Sequence, residues 1–356
     1  MYLESHLSSG IALSNSELSD IITTMHNFKK EKILFRADAS DEIGMGHVIR
    51  MLALGQYLSD NNYEIHFATR STNESVLNLL KDEGFIVHLL NSEFAWNFKH
   101  DFECFAEIAK SVRSNWIVID GSHFEEIYEL QIRALGFKLM RIVDFSDQHY
   151  CADLIINQNI GAEHLSYSVE PYTKIFAGPA YRILRREFAN FDSSNTKLKA
   201  NTKPNILVSL GGSSGPTSLL NEILSQAVMQ LSDSFALKMI QGFSKVNMFK
   251  EMSHADLAIV SAGSTMWELA QLRIPFFAIA ITKEQNIYLN SIEKYDFFVN
   301  LGWYEDLTVE SIQRALLGFF HNDDQRLRVL AGFDSSFPLV SSRQEILAVL
   351  NPELSR

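Results

Sequence analysis

The sequence has few of the residues that mark disulfide-linked or membrane proteins. Only two of its 356 residues are cysteine, Cys104 and Cys151, too few and too far apart for a disulfide framework or a cysteine-based metal cluster. We expect both thiols to be core or buried groups. No hydrophobic run approaches the ~18 residues that a membrane span requires, and the first residues lack the order of a signal peptide. The sequence therefore predicts a cytoplasmic protein without stable membrane insertion.

Basic residues are also in the minority. The chain has 43 acidic and 31 basic side chains, for a formal net charge of −12. This balance argues against a nucleic-acid partner, which requires a clustered positive field. A phosphate-bearing ligand would have to be bound locally, and the free amides at helix N-termini bind such groups without net positive charge.

The length and the 46% hydrophobic content predict two globular domains with substantial cores. We expect an N-terminal extension over residues 1–31 and a first domain over 32–191. A polar linker over 192–203 leads to a second domain over 204–335 and a C-terminal helix over 336–356. We expect a monomer or a weak homodimer.

Short apolar runs alternate with helical patterns from Ile33 onward. Apolar strands separated by helices indicate parallel sheets covered on both faces. The predicted fold class is α/β, with two doubly wound, Rossmann-like domains facing a cleft. The predicted strands are 33–35, 65–68, 86–89, 116–119, 139–143, 154–156 and 175–177, then 205–210, 237–240, 257–260, 276–281 and 297–300. The clearest predicted helices are 48–59, 217–231, 265–272, 284–294 and 309–320, with a short one near 245–252.

Three glycine-containing turns each follow a predicted strand and precede a helix. The first contains Gly44, Gly46 and His47. Glycines allow close approach of the backbone to a ligand, and a histidine at a helix start is a candidate general base. The positive helix end would tend to keep the imidazole neutral. The alternative is a capping turn in which His47 only packs or forms a hydrogen bond.

The second turn follows the strand that ends near Leu210. Gly211, Gly212 and Ser213 precede a helix, a pattern that can hold a pyrophosphate through backbone amides and hydroxyls. An ordinary flexible turn is the alternative.

The third turn runs through Gly263, Ser264 and Thr265 to Glu268. The two hydroxyls can cap the helix or bind phosphate, and the carboxylate of Glu268 could accept both hydroxyls of a ribose. Alternatively, Glu268 completes a capping box with Ser264 or Thr265, which requires no ligand.

Further polar residues flank the first turn. Asp120 ends a predicted strand and His123 follows it, so both belong to a carboxyl edge where ligands of such sheets bind. A turn-forming aspartate with an exposed histidine is the alternative. Arg36, Asp38 and Arg50 could steady a ligand or pair with one another at the surface.

Four segments together resemble one enzyme family. They are Phe35 to Ser40, Gly44 to Arg50, Gly178 to Phe188 and Ser261 to Glu268. They are similar in order and register to the UDP-2,4-diacetamido-2,4,6-trideoxy-β-L-altropyranose hydrolases of pseudaminic acid biosynthesis, and to related spore-coat polysaccharide proteins. The likeness extends from about Ile33 to Leu307.

This resemblance implies the two-domain GT-B fold of glycosyltransferases and release of UDP by attack of water on the sugar. It implies that His47 is the general base, and from its place at the strand end we expect Asp120 to be the second catalytic residue. It implies no metal and no cofactor, because helix ends and amides stabilise the leaving diphosphate. Expected substrate-binding residues are Arg36, Asp38, Gly44, Gly46, His123 and Tyr181; expected UDP-binding residues are Gly211, Gly212, Ser213, Gly263, Ser264, Thr265 and Glu268.

The sequence departs from this family at three places. Ser122 stands where relatives have an aromatic residue, and Trp267 stands where one relative has asparagine. Between Leu231 and Leu257 one strand and helix unit of the second domain is expected to be missing. Three hypotheses follow: a UDP-sugar hydrolase, an inverting glycosyltransferase with the same fold, and a non-catalytic nucleotide-sugar binding protein.

Overall fold

The computed structural model describes residues 30–40, 43–90, 97–191, 203–211, 216–240, 247–338 and 341–351. The predicted N-terminal extension and linker lie almost wholly outside these ranges, and their boundaries stay predictions. Within the described ranges, no helix has both the length and the apolar character to cross a membrane. The chain forms two parallel sheets of seven and five strands, with helices between the strands, as the alternation of patterns predicts.

The first sheet has the strand order β3-β2-β1-β4-β5-β7-β9, and all its paired strands are parallel. A separate two-stranded parallel pair is formed by β6 and β8. The strands are β1 Glu31–Arg36, β2 Tyr63–Thr69, β3 Ile86–Leu89, β4 Trp116–Asp120, β5 Lys138–Ile142, β6 His149–Tyr150, β7 Leu154–Asn157, β8 Ser168–Val169 and β9 Lys174–Ala177. The helices are α1 Gly46–Asp60, α2 Glu74–Asp82, α3 Phe98–Val112, α4 Glu126–Ala134 and α5 Arg186–Ala189.

The second sheet has the order β11-β10-β12-β13-β14, again parallel throughout. Its strands are β10 Asn205–Ser209, β11 Ala236–Met239, β12 Leu257–Ser261, β13 Phe276–Ala280 and β14 Val299–Trp303. Its helices are α6 Pro216–Met229, α7 Met248–His254, α8 Thr265–Leu272, α9 Lys283–Ile292, α10 Val309–His321 and α11 Asp323–Ser336.

Alternating side chains of the central strands of the first sheet enter different cores. Ile33 and Phe35 of β1 join one apolar cluster, whereas Leu34 between them joins another. Val118 and Ile119 of β4 divide in the same way. Successive side chains of a strand point to opposite faces, so apolar residues at consecutive positions require helices on both faces.

Both strand orders contain a point at which the direction of winding reverses. In the first sheet this point lies between β1 and β4, and in the second between β10 and β12. In open α/β sheets the loops that leave the carboxyl ends of these two strands diverge and leave a crevice for a ligand. The first glycine turn follows β1, Asp120 ends β4, and the other two glycine turns follow β10 and β12.

The C-terminal region differs from the single helix predicted over 336–356. Helix α11 ends at Ser336, two residues before Pro338, because proline cannot continue a helix and restricts the residue before it. A last helix, α12, comprises Gln344–Leu350. Its Ile346 and Leu350 enter a core of the first sheet, and the indole nitrogen of Trp116 donates to the carbonyl of Leu350 (3.3 Å).

The strand predicted at Phe297 to Asn300 begins later, at Val299, and extends to Trp303. Phe297 and Phe298 are buried, but they pack on Phe276 instead of joining the ladder. Hydrophobic character alone does not separate a buried loop residue from a buried strand residue.

At Gly332, helix α11 packs closely against the backbone of Asp296. A Cβ added there would lie 2.5 Å from the carbonyl oxygen of Asp296, whereas one added at the exposed Gly318 of α10 would meet nothing within 4 Å. We expect Gly332→Ala to lower the free energy of unfolding by about 1–3 kcal/mol through overpacking. Gly318→Ala should raise it by up to ~1 kcal/mol, because alanine favours the helix. Urea denaturation of both variants measures this, and equal stabilisation by both would contradict the packing.

Candidate active site

His47 lies in the first turn of α1 and contacts Asp120 at the end of β4. The His47 Nδ1 to Asp120 Oδ1 distance is 2.8 Å. The aspartate side chain is completely buried, while that of His47 remains 21% exposed. The structure therefore brings the two predicted catalytic residues together, with the imidazole partly accessible to solvent.

Arg50 holds the other side of the same carboxylate. Its Nε donates to Asp120 Oδ2 and its Nη2 to Asp120 Oδ1, both at 2.7 Å. Arg50 also donates to Asp144, with 3.0 Å from Nη2 to Oδ2. Burial alone would raise the pKa of the Asp120 carboxyl, but Arg50, with a smaller effect of His47, holds it well below its usual range.

An ionised Asp120 fixes the orientation of the imidazole. A carboxylate only accepts hydrogen bonds, so the contacting Nδ1 of His47 carries the proton that is donated to Asp120. In the neutral ring, Nε2 then keeps its lone pair. This is the arrangement of a general base that a buried carboxylate orients, and it stabilises the imidazolium that forms after proton uptake.

A second histidine and aspartate link the carboxyl ends of the same two strands, with the histidine now after β4 and the aspartate after β1. His123 follows β4, and its Nε2 lies 3.3 Å from Oδ2 of Asp38, which follows β1. Asp38 is 5% exposed, and the His123 side chain is 20% exposed. Each loop thus contributes a histidine that contacts the aspartate of the other strand.

Arg36 and Asp38 form a buried pair, in contrast to the surface pairing weighed from the sequence. Arg36 is fully buried and donates from Nη2 to Asp38 Oδ2 at 2.8 Å and to Asp101 Oδ1 at 2.9 Å. Tyr128 donates to the other oxygen of Asp101. Because the guanidinium is enclosed, Arg36 supports the carboxylate that faces His123 and does not reach a ligand directly.

The turn before α1 leaves helix amides unoccupied by side chains. Gly44 has a φ of +74°, a left-handed conformation that favours glycine, and its amide donates to the Ser40 carbonyl (2.8 Å). Helix α1 starts at Gly46 with no side-chain cap and no acidic residue in its first turn. The first amides of an α-helix have no partner within the helix, so this end favours an anionic or polar group.

The first residue of the second glycine turn lies beside the end of β12. A Cβ added at Gly211 would lie 3.8 Å from Oγ of Ser261, which ends β12 and precedes Gly263. Gly212 and Ser213 lie outside the described residues. Ser264 precedes Thr265, the first residue of α8, and makes no side-chain cap hydrogen bond. Gly211 therefore adjoins the strand end from which the third glycine turn leads to α8.

Glu268 does not form the capping box that the sequence offered as an alternative. It is 4% exposed, and its two oxygens accept from Nε and Nη2 of Arg185 at 2.7 and 2.8 Å. A capping glutamate must reach back to the start of its helix, and this carboxylate is held by Arg185 instead.

The segment that resembles the family motif at Gly178 to Phe188 connects the helices of the two sheets. Arg185 binds Glu268 of α8, while Arg186 binds Asp60 of α1 (2.8 Å) and Glu83 (3.0 Å). Phe188 is buried in the core of the second sheet.

Tyr181, predicted to contact substrate, lies at the C-terminal helix. Its ring stacks on Phe176 with 4.7 Å between centroids, and its hydroxyl donates to Glu345 (3.0 Å).

Sequence reasoning missed two members of the site. Asp144 follows β5 and shares Arg50 with Asp120, and Asn159 donates to Asp144 (3.3 Å). A usable signal was present, because both residues lie just beyond predicted strands, as Asp120 does. The spacing of His47 and Arg50 was another, since residues three apart share one helix face.

Solved structures with the same architecture are glycosyltransferases. Acinetobacter baumannii MurG has a TM-score of 0.61 at 15% identity, covering 90% of this chain and 99% of that one. Spinosyn rhamnosyltransferase SpnG, solved with thymidine diphosphate, has 0.63 at 11% identity, covering 90% and 100%. The fold is that of the GT-B glycosyltransferases.

Relatives in sequence support the resemblance seen in the motifs. The hydrolase of UDP-2,4-diacetamido-2,4,6-trideoxy-β-L-altropyranose from Campylobacter jejuni is 25% identical over 279 residues, covering 71% of this chain and 93% of the relative. The spore coat polysaccharide biosynthesis protein SpsG of Bacillus subtilis is 26% identical over 305 residues, covering 78% and 85%. The predicted resemblance is confirmed.

A further relative comes from Methanocaldococcus jannaschii, an uncharacterised protein that is 30% identical over 301 residues. The match covers 74% of this chain, but the chain spans only 59% of that protein's length. No family model matches the chain.

The two neighbouring arginines of α5 and its N-cap allow a matched stability test. We expect Arg185→Met to cost about 3–5 kcal/mol, because it leaves the buried carboxylate of Glu268 without its partner. Arg186→Met removes contacts to more exposed carboxylates and should cost about 1 kcal/mol or less. Urea denaturation provides both values. Adding Glu268→Gln to Arg185→Met should restore part of the loss, and equal costs for the two single variants would argue against the buried pair.

Proposed function

We propose that this protein hydrolyses a UDP-linked diacetamido-trideoxyhexose to the free sugar and UDP, with His47 as the general base. The observation that carries the proposal is the contact between His47 and the buried, ionised Asp120 at the uncapped start of α1. The names of the Campylobacter jejuni and Bacillus subtilis relatives support a role on nucleotide sugars in polysaccharide biosynthesis. The sugar itself corresponds to the substrate in the name of the former.

The proposed step begins with a water molecule beside Nε2 of His47. The water oxygen attacks C1 of the sugar as Nε2 takes one of its protons, and the bond from C1 to the diphosphate oxygen breaks. UDP leaves with that electron pair, and the sugar hydroxyl retains the second proton. Attack from the face opposite the diphosphate inverts the configuration at C1.

In this proposal the UDP half binds at the second sheet. The amides of Ser264 and Thr265 at the start of α8 and the backbone at Gly263 and Gly211 would surround the diphosphate. Gly212 and Ser213 are proposed to complete this diphosphate-binding site. Glu268 would meet the ribose only by sharing its carboxylate with Arg185, so it is proposed to position the helix start as well.

The sugar half is proposed to bind at the first sheet. Gly44 and Gly46 would bring backbone close to the ring, and the partly exposed His123, anchored by Asp38, would contact a polar sugar substituent. Arg36 would act through Asp38. Tyr181 contacts α12 through the hydrogen bond to Glu345. For Tyr181 we therefore propose a supporting role and no direct contact with the reacting atoms.

A glycosyltransferase is the second candidate, favoured by the solved structures of similar fold and by Ile43, which is 42% exposed next to Gly44. A sugar or lipid hydroxyl would then replace water. UDP release that depends strictly on an added acceptor would support transfer. Release of UDP and free sugar in buffer alone would support hydrolysis.

A non-catalytic binding protein is the third candidate, suggested by the expected missing unit of the second domain. Among the described residues between α6 and β12 there is one strand, β11, and one short helix, α7. Calorimetric binding of UDP without turnover, unchanged in His47→Ala, would favour this candidate over both enzymes.

Substitution of His47 tests the proposed base directly. We expect the wild-type protein to convert the UDP-sugar to UDP, and phosphorus NMR measures this conversion. We expect His47→Asn to lower kcat by roughly 10²–10⁴-fold with little change in KM. Asparagine keeps a polar side chain but cannot accept the proton. The exposed His321→Asn in α10 is the matched control and should retain full activity. Persistence of intact substrate with the wild-type protein would refute the hydrolase.

Substitution of Asp120 tests the electrostatic part of the proposal. Asp120→Asn removes the anion that stabilises the imidazolium, so kcat should fall by roughly 10²–10⁴-fold with little change in KM. Asp144→Asn removes a more distant and more exposed carboxylate and should lower kcat by less. Steady-state kinetics measures both, and an unchanged kcat in Asp120→Asn would contradict the electrostatic role of this carboxylate.

A further inference from the structure

Three different potential metal ligands converge on one side of the first domain, away from the contacts of His47. They are Glu126 at the start of α4, His149 in β6 and Cys151 directly after β6. One ligand atom of each lies within 4.8 Å of the others. The glutamate is exposed, the histidine half-buried and the cysteine buried. Thiolate, imidazole and carboxylate are the three ligand types that zinc takes in proteins.

A second carboxylate and a hydroxyl border this cluster. Glu170 Oε1 lies 3.3 Å from Nε2 of His149, and Ser168 Oγ lies 2.9 Å from Nδ1 of the same ring. The parallel pairing of β6 with β8 aligns His149 with Ser168 and so fixes both contacts. Metal-bound histidines typically have their second ring nitrogen held by an oxygen, and Ser168 supplies that oxygen here.

The charge around the sulfur is negative. The carboxylates of Glu129, Glu126 and Glu170 all lie close enough to the Cys151 sulfur to act on it electrostatically. Arg133, the nearby cation, is already bonded to Asp153. This surrounding attracts a cation, and a bound metal ion itself displaces the thiol proton.

We propose that Glu126, His149 and Cys151, with Glu170 as the fourth ligand, bind one divalent metal ion of the zinc class. Zinc bonds of about 2.0–2.3 Å require the ligand atoms to approach to roughly 3.3–3.8 Å of one another. The exposed side chain of Glu126 supplies most of this movement. With four protein ligands the site is closed and structural, and no step of the proposed hydrolysis passes through it.

The metal ion would link α4 to β6, two segments that adjoin loops of the candidate active site. Helix α4 begins three residues after His123, and β6 begins five residues after Asp144. The Tyr150 hydroxyl donates to the carbonyl of Phe145 (3.0 Å), so β6 is already tied to the segment that begins at Asp144. A metal bridge between α4 and β6 therefore restrains both loops together.

The sequence expectation of no metal rested on the two distant cysteines and on stabilisation of the leaving diphosphate by helix ends and amides. A mixed site needs only one cysteine, and its other ligands come from positions separated by 23 and 44 residues, Glu126 to His149 and Glu126 to Glu170. Short-range motifs do not contain such spacings. The pairing of β6 with β8 and the contact between α4 and β6 bring these residues together.

Zinc binding by the full chain tests the proposal. Protein stripped with a chelator is titrated with zinc alone in competition with a chromophoric chelator. We expect one ion to be retained by the wild type and at least roughly 100-fold weaker binding by Cys151→Ser and by His149→Gln. Cys104→Ser is the matched control, because Cys104 also lies near a histidine, 3.9 Å from Nε2 of His100, but belongs to no cluster of three potential ligands among the described residues. It should bind as the wild type does.

Two further measurements keep the outcome clear. Cobalt in place of zinc should give a thiolate-to-cobalt charge-transfer band that Cys151→Ser abolishes. Zinc should raise the thermal unfolding midpoint of the wild type but not that of His149→Gln. If Cys151→Ser fails to fold, His149→Gln still tests the proposal. Absence of retained zinc, or equal affinity in the wild type and all three variants, would overturn the proposal.

Discussion

The buried carboxylate of Asp120 is the interaction on which the candidate site depends. It accepts three short hydrogen bonds, two from Arg50 and one from His47, and has no exposure to solvent. A buried charge is tolerated only when it is paired and hydrogen-bonded, so the two side chains of α1 stabilise the fold as well as the proposed site. The same bonds orient the imidazole and leave its Nε2 for a water molecule.

The topology of the first sheet explains why these groups meet. Strands β1 and β4 are neighbours, and the chain leaves their carboxyl ends in opposite directions along the sheet. Each loop sends a histidine to the aspartate of the other: His47 to Asp120, and His123 to Asp38. The buried pair of Arg36 and Asp101 supports Asp38. Each histidine therefore contacts a buried aspartate that is itself paired with a buried arginine.

Much of this was accessible from the sequence, because apolar runs and glycine turns are local signals. The strand Ile86–Leu89 and the helix Thr265–Leu272 have the predicted bounds, and the resemblance located His47, Asp120 and the turn before α8. Long-range pairings were not accessible. The partners of Glu268 and Arg50, the loop packing of Phe297 and the approach of His149 to Glu126 depend on tertiary contacts that no local pattern encodes.

The structure of a complex between His47→Asn and the uncleaved UDP-sugar tests the account most directly. It predicts a diphosphate against the amides of Ser264 and Thr265. It also predicts that C1 of the sugar lies within about 3–3.5 Å of a water molecule beside the side chain at position 47, on the face opposite the diphosphate. A diphosphate bound elsewhere, or a C1 turned away from position 47, would contradict the assignment of His47 as the base.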